Sequence, residues 1–162
     1  MKLHISPCPN DTFTFHALIH GLVDTEGLRF EPVFDDIDAL NRAAIESPDE
    51  EEVLKISYAA LPEAIGVFRL LESGRALGFG NGPLLVSRHR LYPDELHDAR
   101  IGIPGLRTTA NRLLSILYPT ARQRRVYLFS EIAPAVADGE VDAGVLIHEG
   151  RFTYAAQGLR LV

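Results

Sequence analysis

An α/β fold is what this chain predicts, and three observations carry that expectation. Short apolar runs of strand character alternate with segments of helical period from end to end, the pattern of a mainly parallel sheet wrapped by helices. The 162 residues are 46% hydrophobic, which supplies a core for one compact domain or two small lobes. The pattern also restarts after a glycine-rich interruption at 78–82, which predicts a first lobe over 1–87 and a second over 88–162.

Taken in order, Lys2–Ile5 reads as the first strand and 11–20 as the helix behind it, followed by a strand at 28–33 and a helix at 37–45. The acidic run 49–52, set between Pro48 and the apolar strand 53–57, reads as a solvated loop without chemistry. A short helix at 59–65, limited by Pro62, leads to strand-like pieces at 67–71 and 83–87. Gly78, Gly80 and Gly82 between them suit a turn or a hinge between lobes, and the spacing favours the turn. The restart then runs through a strand at 100–103, a helix at Thr109–Leu117, a strand at 125–129, a helix at 131–137 and a strand at 143–147. The last residues, 157–162, read as a strand with no closing helix, so the two-lobed arrangement is expected to be incomplete here.

Composition narrows the partners. A net charge of −6, with Lys and Arg scattered apart from Arg122, Arg124 and Arg125, repels a polyanion, so nucleic acid is a poor partner. Cys8 is the single cysteine and forms no intrachain disulfide, and the N-terminus lacks the apolar run of a signal peptide. The cytoplasm is the expected compartment. No apolar stretch approaches the roughly 20 residues that cross a bilayer, so no membrane partner is expected.

In an open α/β sheet, ligands lie beyond the carboxyl ends of the strands, so chemistry is sought in the turns there. Four carry polar groups. In 6–13, two prolines stiffen the exit from strand one, Asn10, Asp11 or Thr12 can cap the next helix, and free N–H groups can hold an anion. In 55–58, Ser57 can cap a helix or donate its hydroxyl to a ligand. In 102–110, a Gly-containing turn and the pair Thr108 and Thr109 open a helix, an arrangement that suits a carboxylate as well as plain capping. The strand at 143–147 ends in His148 and Glu149; histidine is the side chain most readily tuned to exchange a proton near neutral pH, which makes His148 the best general-base candidate, although a strand-end histidine is also a common structural group. His16 and His20 stand four apart on one helix face but lack a third ligand, so no metal site is expected. Glu140 and Glu149 read as surface residues, and Cys8 as a small buried one.

At these same turns the sequence resembles the 1,4-dihydroxy-6-naphthoate synthases of the futalosine route to menaquinone. The block Ser6-Pro7-Cys8-Pro9-Asn10-Asp11-Thr12-Phe13, with Phe15, His16, Ala17, Leu18 and Gly21 behind it, is the most distinctive point of likeness. Lys55 to Ala60, Gly82-Pro83-Leu84, Pro104-Gly105 with Thr108-Thr109-Ala110, and Ile147-His148-Glu149 with Arg151 to Tyr154 are similar to further blocks in the same order. The resemblance implies a type II periplasmic-binding-protein-like fold of two lobes, whose chain continues past the point reached here. It implies a lyase that cleaves cyclic dehypoxanthine futalosine to 1,4-dihydroxy-6-naphthoate and dihydroxyacetone, without metal or organic cofactor. His148 is then the proton acceptor, Lys55, Ile56, Ser57, Thr109 and Ala110 line the substrate site, and Asn10 and Thr12 support it. A small-molecule carboxylate is the expected partner, Thr108, Thr109 and Ser57 are expected to flank one cleft, and self-association is expected from an unfinished sheet. The rival readings are a non-catalytic small-carboxylate-binding protein of the same fold, the chorismate dehydratase of the same pathway, and a truncated, inactive copy.

Overall fold

The computed structural model describes residues 1–49 and 52–162, which form two compact units, Met1–Leu77 and Gly78–Val162. In the first, a parallel sheet runs β2-β1-β3, with β1 (Lys2–Ile5) between β2 (Glu31–Phe34) and β3 (Glu52–Leu54). The order follows from the residues: Leu3 and Ile5 are fully buried on the central strand, while Pro32, which has no N–H to donate, lies on an edge strand. Helix α1 (Pro9–Thr14) and helix α2 (His16–Ile19) follow β1. Helix α3 (Ile37–Glu46) is capped by the Asp36 carboxylate, which accepts from Asp38 N–H at 3.0 Å, and it buries Leu40 and Ala44. Helix α4 (Leu61–Ala64) completes the unit.

Three expectations change here. The helix expected over 11–20 is two short ones, because Thr12 and Thr14 turn their hydroxyls back onto the carbonyls of Cys8 (3.0 Å) and Asn10 (2.8 Å), a bonding mode that bends helices. No strand forms at 67–71, since the N–H groups of Val67 and Phe68 both donate to Ala64 O and prolong the turn at the end of α4. Of the acidic run, Glu50 and Glu51 lie outside the described residues, and Glu52 belongs to β3 rather than to a solvated loop. Its carboxylate lies 3.6 Å from Lys2 Nζ and 3.0 Å from His4 Nε2, the latter without the alignment of a hydrogen bond.

The second unit holds a five-stranded mixed sheet in the order β6-β5-β7-β4-β8, built from β4 (Leu84–Ser87), β5 (Ile101–Ile103), β6 (Arg124–Val126), β7 (Ala143–Leu146) and β8 (Arg160–Leu161). β5 runs parallel to β6 and β7, whereas β4 is antiparallel to β7 and β8. The two units divide after Leu77, and the strand that the sequence pattern places last in the first lobe is hydrogen-bonded inside the second sheet. Side chains of β7 alternate between two clusters. Ala143 and Val145 join Ile101, Ile103 and the buried face of α5 (Thr109–Leu117), while Leu146 joins Val86 and the inner face of α6 (Phe129–Asp138). A short helix α7 (Gly150–Thr153) follows β7. Among the described residues, no helix is long and apolar enough to cross a membrane.

Candidate functional site

Each of the four turns singled out in the sequence leaves the carboxyl end of a strand, and in each unit the two strands concerned are parallel neighbours, β1 with β3 and β5 with β7. Two turns therefore share one sheet edge in each unit, where an α/β fold places ligands.

In the first unit that edge carries a buried charged cluster. Asp11, only 4% exposed, accepts at Oδ2 from the Ser6 N–H (3.2 Å) and the Ser6 hydroxyl (2.9 Å), and its Oδ1 lies 3.2 Å from Lys55 Nζ. The Lys55 ammonium also donates to Gly74 O at 2.6 Å and lies 5.8 Å from the centroid of the Phe15 ring. The thiol of buried Cys8 touches the Ser6 hydroxyl at 2.8 Å. The expected capping by Asn10, Asp11 or Thr12 does not occur. Cys8 occupies the N-cap of α1, the Asp11 carboxylate is drawn back to Ser6 and Lys55, the Thr12 hydroxyl is taken by Cys8 O, and Asn10 is exposed.

Ser57 does not cap a helix either, since Ala60 precedes α4. Its backbone N–H donates to Asn41 Oδ1 (2.8 Å) and its hydroxyl oxygen accepts from Asn41 Nδ2 (3.0 Å), so the fully buried Asn41 clamps it from both sides. Ile56 is half-buried beside it.

In the second unit the turn after β5 passes through Gly105 at φ +147°, a backbone angle that favours glycine, and reaches Thr108 as the N-cap of α5. The Thr108 hydroxyl donates to Gly105 O (2.7 Å) and accepts from Asn111 N–H (3.3 Å), so this buried side chain is committed to the cap. Thr109, half-buried, and Ala110, 6% exposed, form the first turn, where helix N–H groups lack intrahelical acceptors and the dipole is positive. Asn111 secures that turn: its Nδ2 donates to Leu106 O (2.7 Å) and its Oδ1 accepts from Arg124 Nη1 (2.6 Å). Arg124 further donates to Ser115 Oγ and to Ala121 O, and burial holds its guanidinium below the usual arginine range.

His148 stands two residues beyond β7 in the left-handed region, at φ +53°. Its half-buried ring meets Phe129 edge-on, with centroids 5.5 Å apart and planes at 70°. Sequence reasoning passed over Asn41, Asn111, Arg124 and Phe129. A signal was present for two of them. Asn41 and Asn111 occupy apolar-stripe positions of their helices, among Ile37, Leu40 and Ala44 and among Ala110 and Leu114, where an amide must find buried partners.

Parallel strands with polar turns at their carboxyl ends, repeated in two compact units, define an α/β fold of the periplasmic-binding-protein-like class. The fold is shared with the holo ArgBP of T. maritima at a TM-score of 0.61 and 16% identity, over 99% of this chain and 75% of that one. A nearer match is the crystal structure of an Archaeoglobus fulgidus protein, at a TM-score of 0.88 and 39% identity over 99% of this chain and 58% of that one. Within the class the chain belongs to the menaquinone biosynthesis family, whose profile matches residues 1–162. It is 45% identical over 159 residues to the 1,4-dihydroxy-6-naphthoate synthase of Thermus thermophilus, covering 98% of this chain and 56% of that enzyme. The chain thus spans about half the length of the curated relatives it matches.

Proposed function

We propose that this chain acts in the formation of 1,4-dihydroxy-6-naphthoate, as a cytoplasmic lyase that cleaves cyclic dehypoxanthine futalosine to that product and dihydroxyacetone. The observation that carries the reading is His148: a half-buried imidazole in the turn just beyond β7, at the sheet edge where an α/β fold places ligands, and histidine is a side chain commonly used as a general base. In this proposal His148 accepts the proton whose removal starts the cleavage. Thr109 and Ala110 hold the substrate carboxylate at the start of α5, through backbone N–H groups and the helix dipole. Ser57 offers its hydroxyl hydrogen, Lys55 adds positive charge while bound to Asp11, and Ile56 supplies apolar contact. Thr108 contributes by capping, and Asn10 and Thr12 support the first turn. No metal or organic cofactor enters the scheme.

The test is single-turnover conversion of cyclic dehypoxanthine futalosine by the unsubstituted chain and by His148→Asn, alongside thermal melts of both. We expect turnover to fall roughly 100-fold or more, with substrate affinity and melting point nearly unchanged. Near-normal turnover in His148→Asn would remove His148 from the mechanism. Tight binding without conversion by the unsubstituted chain would favour a non-catalytic binding role.

A further inference from the structure

The structure assigns Phe129 the role of a positioning residue for His148, an inference that rests on the general-base reading above. A base must present its nitrogen at a fixed place, because an error on the order of 1 Å in a reacting group costs about 100-fold in rate. His148 is not held by regular structure: it lies past the end of β7 and before α7, and with Glu26 it is one of two non-glycine residues at positive φ among the described residues. A left-handed conformation at such a residue is itself unfavourable and persists only where its surroundings enforce it.

Two features provide that enforcement. On the main chain, Arg151 N–H reaches back to His148 O at 3.4 Å and closes the turn. On the side chain, the Phe129 ring stands edge-on to the half-buried imidazole and restricts the rotamers open to it.

Phe129 can do this because its own place is set by the core. It is the first residue of α6, a helix that buries Ile132, Ala133, Ala135 and Val136. That helix lies directly on β7 at Gly144, where an added Cβ would stand 2.5 Å from Ile132 Cγ2 and 2.7 Å from Val136 Cγ2. The strand that leads to His148 and the helix that begins at Phe129 are therefore locked together by the close approach only a glycine allows. The aromatic contact passes the position set by that lock on to the imidazole.

The test uses the full chain labelled at histidine, with the His148 ring signals assigned by their loss in His148→Asn. Phe129→Leu keeps the apolar bulk and removes the ring, Phe129→Tyr keeps the ring, and Phe129→Met is run in parallel so that a folding defect peculiar to one substitution does not decide the outcome. In Phe129→Leu and Phe129→Met we expect the His148 ring protons to lose their ring-current shift, kcat to fall about 3- to 10-fold and KM to stay within about twofold; Phe129→Tyr restores all three. Unchanged kcat and unshifted His148 signals in both Leu and Met variants, with turnover still dependent on His148, would overturn the positioning role. Full turnover in His148→Asn would instead overturn the general-base reading, and this inference with it.

Discussion

Asp11 Oδ1 and Lys55 Nζ stand 3.2 Å apart in the first unit, with the two side chains 5% and 17% exposed. The pair joins the turn after β1 to the turn after β3, and the bond from the same ammonium to Gly74 O ties in a third loop. A buried ion pair contributes little when compared with apolar residues of the same shape, yet removing one partner strands the other charge.

Asp11→Ala is therefore expected to destabilise the first unit by about 3 kcal/mol, since it leaves a largely buried ammonium and two Ser6 donors without their acceptor. Lys55→Met should destabilise less, because the Asp11 carboxylate it strands keeps both bonds from Ser6 and the apolar stem is retained. Urea unfolding of both single variants and the double variant checks this. Additive losses, with no coupling between the two sites, would contradict the pairing.

Asn111→Ala should destabilise the second unit by about 2 kcal/mol, because it leaves Leu106 O and Arg124 Nη1 each short of a partner. Asn111→Asp keeps an acceptor for Arg124 but sets a carboxylate oxygen against Leu106 O, so it should also destabilise, with the bond to Arg124 retained. Hydrogen exchange over 104–110 adds a local readout: faster exchange there in Asn111→Ala than elsewhere in the unit is expected, and uniform behaviour would show that Asn111 does not secure the α5 start.

Asp142 gives a pH-dependent prediction. Hydrogen bonding from Arg100, to the carboxylate from both its side chain and its main-chain N–H, holds the Asp142 carboxyl below the unfolded value of 3.8. Between the folded and unfolded values the unfolded chain binds more protons, so the contribution is complete above 3.8 and is lost as pH falls through the folded value. Both side chains are about two-fifths exposed, which keeps the contribution of the pair small and makes it sensitive to salt. Asp142→Asn should thus lower stability slightly at neutral pH, with the gap to the unsubstituted chain closing in strong acid. Acid titrations of unfolding free energy at low and high salt check it, and a gap that widens in acid would refute the account.

Much of this protein was legible locally. Lys2–Ile5 and Thr109–Leu117 form as their patterns require, because polar–apolar alternation and helical periodicity act over a few residues. Placing polar groups after strand ends likewise needed only the order of elements. The helix over 11–20 failed for a reason also local but easily overlooked, the back-bonding threonines, whereas the missing strand at 67–71 failed because apolar residues alone do not secure a ladder partner.

By itself, then, the sequence determined the α/β class, most elements and the four polar turns that follow strand ends, since propensity, capping and hydrophobic period are properties of neighbouring residues. Only the tertiary structure decided that β4 pairs antiparallel with β7, that Asp11 meets Lys55, that Asn41 clamps Ser57 and that Phe129 meets His148. Each of those depends on residues far apart in the chain, brought together by burial of the sheet faces and by the need of every buried polar group for a partner.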